Sequence, residues 1–91
     1  MRLVFQRQAW EDVVWVATHD RALFKRLCRV IDDALRDPYD GIGKPERLVG
    51  DLSGWWSRRI TDEHRLVYRV ETSIESGELL VVAQARYHYQ P

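Results

Sequence analysis

The sequence predicts an α+β fold in which two N-terminal helices pack on one face of a small, mostly antiparallel twisted sheet. Three observations carry this. Apolar residues recur at helical spacing over positions 9 to 35, and from Trp55 onward they alternate as strand residues do. The second helix has a wide apolar face, and the chain offers no third helix to cover it, so the sheet must.

The opening MRLVF reads as a short strand. In QRQAWEDVVWVATH, the spacing of Ala9, Trp10, Val13, Val14, Val16 and Ala17 predicts a first helix. Asp20 is a plausible N-cap for RALFKRLCRVIDDALRD, whose apolar face is Leu23, Phe24, Leu27, Val30, Ile31, Ala34 and Leu35, and Pro38 stops the helix just past its end. DPYDGIGKPERLVGDLSG holds four of the five glycines and two of the three prolines, so it is expected to be a loop with at most one short strand near residues 47–49. WWSRRI, HRLVYRVE and, after a polar turn, LLVVAQARYHY complete the sheet.

A chain of 91 residues is one domain, 1–91, with room for a modest core. No apolar run reaches the roughly 18–20 residues of a membrane span, and no signal-peptide pattern opens the chain, so a cytoplasmic protein is expected. The single cysteine, Cys28, falls on the apolar stripe of the second helix and is expected to be a buried structural thiol. No Cys/His spacing suits zinc, and no metal or cofactor is expected.

The formal net charge is zero, which argues against a highly basic nucleic-acid coat, but its distribution is uneven. Acidic residues gather in the first forty positions, while Lys44, Arg47, Arg58, Arg59, Arg65 and Arg69 occupy the middle. Strand parity sorts these cations. An odd connection of three or five residues around TDE unites Trp56, Ile60, Leu66, Tyr68 and Val70 on one apolar face and sets Arg59 beside Arg65, whereas the other register would push large apolar groups toward water. Arg58 shares parity with Trp56 and Ile60. In the last strand, Leu79, Val81, Ala83, Ala85 and Tyr87 are expected on the helix-packed face and Gln84, Arg86 and His88 on the other.

Arg59, Arg65, Arg69, Arg86 and His88 thus gather on one face. On parity alone a solvated outer face is the ordinary reading; the functional one is a phosphate site, since arginine presents a planar donor fork. His19 reads as an exposed residue between the helices, and His64 as a structural histidine near a turn. Trp55, Tyr87 and Tyr89 are able to stack bases, although core or interface packing is the usual fate of such rings.

GIGKPERL, LSGWWSRRITDEHRLVY and the near-terminal RYHY, together with WEDVVW and the DP after the second helix, closely resemble the YoeB toxins of bacterial toxin–antitoxin systems, within the RelE superfamily. The resemblance spans nearly the whole chain. It implies a microbial-ribonuclease-like fold, cleavage of mRNA on the ribosome, and a YefM-like antitoxin whose flexible tail wraps the toxin, with operator DNA bound only through that complex. It leaves a homodimer open. The family's catalytic glutamate falls on Glu46, its two arginines on Arg59 and Arg65, and its histidine and tyrosine on His88 and Tyr89. Lys44, Arg47, Arg58 and Arg86 are expected to hold the surrounding RNA.

The chain departs from the family pattern at Val49, where a lysine is common, and in the Gln90–Pro91 extension beyond RYHY. Arg47 is placed to replace that lysine if residues 47–49 are extended. The residue types give a mechanism: Glu46 as general base on a ribose 2′-hydroxyl, His88 as general acid on the departing 5′-oxygen, and Arg65 then Arg59 stabilising the phosphoryl charge, leaving a 2′,3′-cyclic phosphate. Two rivals share the fold. A ParE-like gyrase poison would lack Glu46 and His88, and a catalytically weakened binding module would act only as antitoxin partner and operator co-repressor.

Overall fold

A computed structural model describes residues 1–87. The elements run β1 (Arg2–Phe5), α1 (Arg7–His19), α2 (Arg21–Arg36), β2 (Glu46–Arg47), a short 3-10 turn (Gly50–Leu52), β3 (Trp56–Arg59), β4 (Arg65–Ser73) and β5 (Gly77–Gln84). They form one sheet in the order β1-β5-β4-β3-β2, antiparallel except for the parallel pair β1 and β5. The predicted α+β arrangement is the one observed.

Asp20 separates the two helices because its extended backbone cannot continue α1, while its side chain accepts the Leu23 N–H at 3.0 Å and so caps α2. Leu23, Leu27, Val30, Ile31 and Ala34 form the buried stripe of α2, and they pack with Leu66, Tyr68, Leu80 and Val82 of the sheet in one core. Arg26 ties the same helix to the turn after β3 by donating from Nε to the Ile60 carbonyl at 3.1 Å. Cys28, expected inside, is exposed on α2. It stands one residue beyond the buried Leu27, where the stripe has already turned toward solvent. Burial of its surroundings, with Asp32 nearby, raises its thiol pKa.

The β3–β4 connection is the odd one: Arg59 pairs with Arg65 across residues 60–64, and Ile60, Leu66 and Tyr68 reach the core as the burial argument requires. The last strand departs from expectation. Leu80 and Val82, rather than Leu79, Val81 and Ala83, pack under the helices. Tyr68 pairs with Val82 and Val67 with Gln84, so Ala83 is an extra residue, a bulge that reverses parity and returns Ala85 to the core. The LLVV run is apolar on both sides and gave alternation nothing to act on; Val81 is buried on the far face, between Val4 of β1 and Arg69 of β4.

Candidate active site

The loop before β2 is held to the end of β3 by one close contact: the Arg59 N–H donates to the Gly43 carbonyl at 2.7 Å. Only glycine fits there, because φ is +80° and an added Cβ would stand 2.5 Å from the Arg59 carbonyl oxygen. Lys44 follows, exposed and also left-handed at φ +52°. The chain then enters β2 with Glu46 opposite Ser57 and Arg47 opposite Trp56.

That register separates neighbours. Glu46 falls on the sheet face away from the helices, and its carboxylate lies 3.7 Å from Nη1 of Arg65. Arg65 is largely enclosed, its side chain 15% exposed, whereas Glu46 is 59% exposed and open to a ligand. Arg59 sits directly across from Arg65 and makes a loose pair with Asp62 at 3.9 Å. Arg69 is further along, paired with Glu71 at 2.7 Å and stacked on Trp55 at 4.4 Å. Glu46, Asp62 and Glu71 offset the repulsion that clustered arginines would otherwise impose.

Arg47 points the other way. Its guanidinium lies 5.7 Å from the Trp56 ring centre, and with Val49, Tyr39 and Trp55 it lines an open cavity of about 640 Å³. Arg47 and Val49 both border this cavity, as does Leu48 between them.

One expected RNA contact, Arg58, is overturned, and a second, Arg86, stands elsewhere than expected. Arg58 is fully buried. Its Nε donates to the Tyr68 hydroxyl at 3.0 Å, Nη1 to Asp33 Oδ2 at 2.6 Å and the Ile42 carbonyl at 3.1 Å, and Nη2 to the Asp37 and Asp40 carbonyls at 2.5 and 3.1 Å. All five donors are used, so none remains for a phosphate. Parity puts Arg58 on the helix side, and the 37–42 loop closes over it. Asp33 is the anion of this network, and hydrogen bonds from Arg36, the Ile42 N–H and Arg58 hold its carboxyl well below the usual carboxylate range. Arg86, expected beside Arg59 and Arg65, stacks instead on Trp15 of α1 at 3.5 Å, because β5 ends at Gln84 and residues 85–87 bend out of strand alternation.

The approach to the C-terminus is fixed from several sides. Asp12, 5% exposed on α1, accepts the Ala85 N–H at 3.1 Å and the Gln8 side-chain amide at 2.9 Å. The Tyr87 carbonyl accepts from the Arg65 N–H at 3.0 Å and from Gln84 Nε2 at 2.9 Å, and the Tyr87 N–H donates to His64 Nδ1 at 2.8 Å. Tyr87, expected on the core side, is exposed and left-handed at φ +63°. His88 and Tyr89 lie outside the described residues. The chain reaches them directly from a carbonyl bonded to Arg65.

Sequence reasoning missed Asp12, Asp33, Gln84 and the acceptor role of His64. A signal for Asp12 was present: with Ala9 and Val16 it occupies helical positions 9, 12 and 16, the only buried ones of α1, and an acid on such a stripe requires a partner. Asp33 gave no such signal, since it lies off the buried stripe of α2.

Comparison with known proteins follows the same lines. The description of the YoeB-like toxins of bacterial type II toxin–antitoxin systems matches residues 5–89. The toxin YoeB of Streptomyces coelicolor is 54% identical over 89 residues, 98% of this chain and 100% of that one. The toxin RelK of Mycobacterium tuberculosis is 49% identical over 85 residues, 93% and 94% of the two chains. A solved YoeB/ParE toxin from Agrobacterium tumefaciens superposes with a TM-score of 0.91 at 45% identity, over 98% of this chain and 100% of that one. The YoeB dimer of Staphylococcus aureus gives 0.84 at 36% identity, over 98% of both, and the YoeB of that organism has also been solved in complex with YefM. The chain belongs to the YoeB-like toxins of bacterial type II toxin–antitoxin systems.

Proposed function

We propose that this toxin is a ribosome-dependent mRNA endoribonuclease of the cytoplasm, neutralised by a YefM-like antitoxin and meeting operator DNA only through that complex. The observation that carries the reading is the open face on which the Glu46 carboxylate stands 3.7 Å from the Arg65 guanidinium, with Arg59 directly across. A carboxylate able to take a proton beside two forks able to hold a phosphate is the equipment that phosphodiester transfer needs.

In this mechanism Glu46 accepts the 2′-hydroxyl proton, the freed oxygen attacks the adjacent phosphorus, and the bond to the 5′-oxygen breaks as His88 delivers a proton to it. The products are a 2′,3′-cyclic phosphate and a 5′-hydroxyl. Arg65, enclosed and already aimed at Glu46, carries most of the charge stabilisation, and the more exposed Arg59 adds to it. Tyr89, next to His88 in sequence, is assigned to the same reaction, while Lys44 and Arg47 are assigned to the RNA backbone.

Among the described residues the site is small and shows no extended RNA track, so orienting the message is assigned to the ribosome. Mapping message ends after adding purified toxin to programmed ribosomes, and to the same RNA alone, tests this. Cuts are expected with ribosomes and scarcely without; equal cutting of naked RNA would remove the ribosome from the account.

A further inference from the structure

We infer that His64 is a positioning residue for the general acid: its Nδ1 accepts the Tyr87 N–H and holds the residue immediately before His88 in a left-handed conformation. The inference rests on the reading of His88 as the acid.

A backbone N–H only donates, so at 2.8 Å the Nδ1 of His64 must present its lone pair and the ring proton must be on Nε2. The contact matters because of where Tyr87 sits. With φ at +63°, its Cβ is crowded against its own backbone, and a tyrosine stays there only if the surroundings over-determine it. Gln84 and the Arg65 N–H fix the Tyr87 carbonyl, and Asp12 fixes Ala85 two residues earlier. His64 alone among these holds the Tyr87 amide. Released, Tyr87 would relax to negative φ and change the direction in which the chain leaves it.

His64 is itself a firm support. Its carbonyl accepts from Ile60 at 2.9 Å and Thr61 at 3.2 Å, closing the β3–β4 turn, and its ring lies 5.6 Å from that of Tyr87. It is also the residue before Arg65. One dipeptide therefore supplies both the phosphate-binding guanidinium and the acceptor that fixes the residue preceding His88.

Steady-state cleavage on programmed ribosomes separates this from a purely structural role. The proteins are wild type, His64→Asn, His64→Gln and His88→Gln; the messages carry either an ordinary phosphodiester or a 5′-bridging phosphorothiolate, whose leaving group needs no acid. Asparagine places an acceptor near the Nδ1 position and glutamine places it too far out. His64→Gln is expected to lower kcat at least about tenfold at unchanged KM, His64→Asn to restore it to within a few-fold, and the phosphorothiolate to rescue both His64→Gln and His88→Gln. Thermal unfolding confirms that each variant is folded. If the phosphorothiolate fails to rescue His88→Gln, the acid assignment falls and takes the inference with it. If it rescues His88→Gln while His64→Gln keeps wild-type kcat, or loses kcat on both messages alike, the acid stands and the positioning role of His64 is overturned.

Discussion

Arg58 and Arg59 are adjacent and chemically identical, yet the sheet sends one under the helices and the other to the open face. Their substitutions should differ in kind. Asp33→Ala would strand the buried Arg58 charge, and it is expected to cost about 3–5 kcal/mol in denaturant unfolding. Arg59→Ala should leave stability within about 1 kcal/mol, as exposed pairs do, while slowing cleavage. Arg65→Ala and His88→Gln should each slow cleavage at least about tenfold with the domain still folded; wild-type rates in both would refute their roles. Asp33 also sets an acid limit. Its folded-state pKa lies below the unfolded value of about 3.9, so the stabilisation is complete above about pH 4 and drains away as pH falls toward the folded value. Unfolding measured between pH 5 and 2 should therefore show a shallower loss in Asp33→Asn than in the wild type.

Elements were legible where their two faces differ in chemistry. The β3–β4 register followed from Ile60, Leu66 and Tyr68 on one side and Arg59 and Arg65 on the other, because a one-residue slip would expose the first set. The α2 cap followed from a single aspartate before an apolar stripe. β5 was not legible, since LLVV is buried on both faces and the Ala83 bulge has no marker of its own. Arg86 and Tyr87 were misplaced for a separate reason: β5 ends at Gln84, and alternation does not continue through the bend at 85–87, where Tyr87 is left-handed. The turn before β2 makes a prediction at this scale: Gly43→Ala should destabilise by about 1–3 kcal/mol, and it should lose cleavage beyond what that predicts, because the contact with Arg59 is what brings Glu46 alongside Arg65.

At the scale of the molecule, the site is assembled from parts distant in sequence: the loop ending at Glu46, the end of β3 and the start of β4, with residues 84–87 delivering the chain toward His88. Its arginines could be read in the sequence because strand parity needs only neighbouring residues, whereas Glu46 was reached only through the family resemblance. The supports behind them, Asp12 against Ala85 and Asp33 against Arg58, could not be paired without the fold, which sets them 73 and 25 residues apart. A neutral chain whose arginines gather on one open face is in keeping with the proposed toxin that meets RNA at one point while the ribosome holds the rest. The central claim is that Glu46 withdraws the proton of a 2′-hydroxyl beside Arg65. Cleavage of a ribosome-bound message carrying a single 2′-deoxy nucleotide at the cut site tests it most directly. Cutting there should cease while the all-ribose message is cut normally, and persistent cutting at the substituted position would contradict the account.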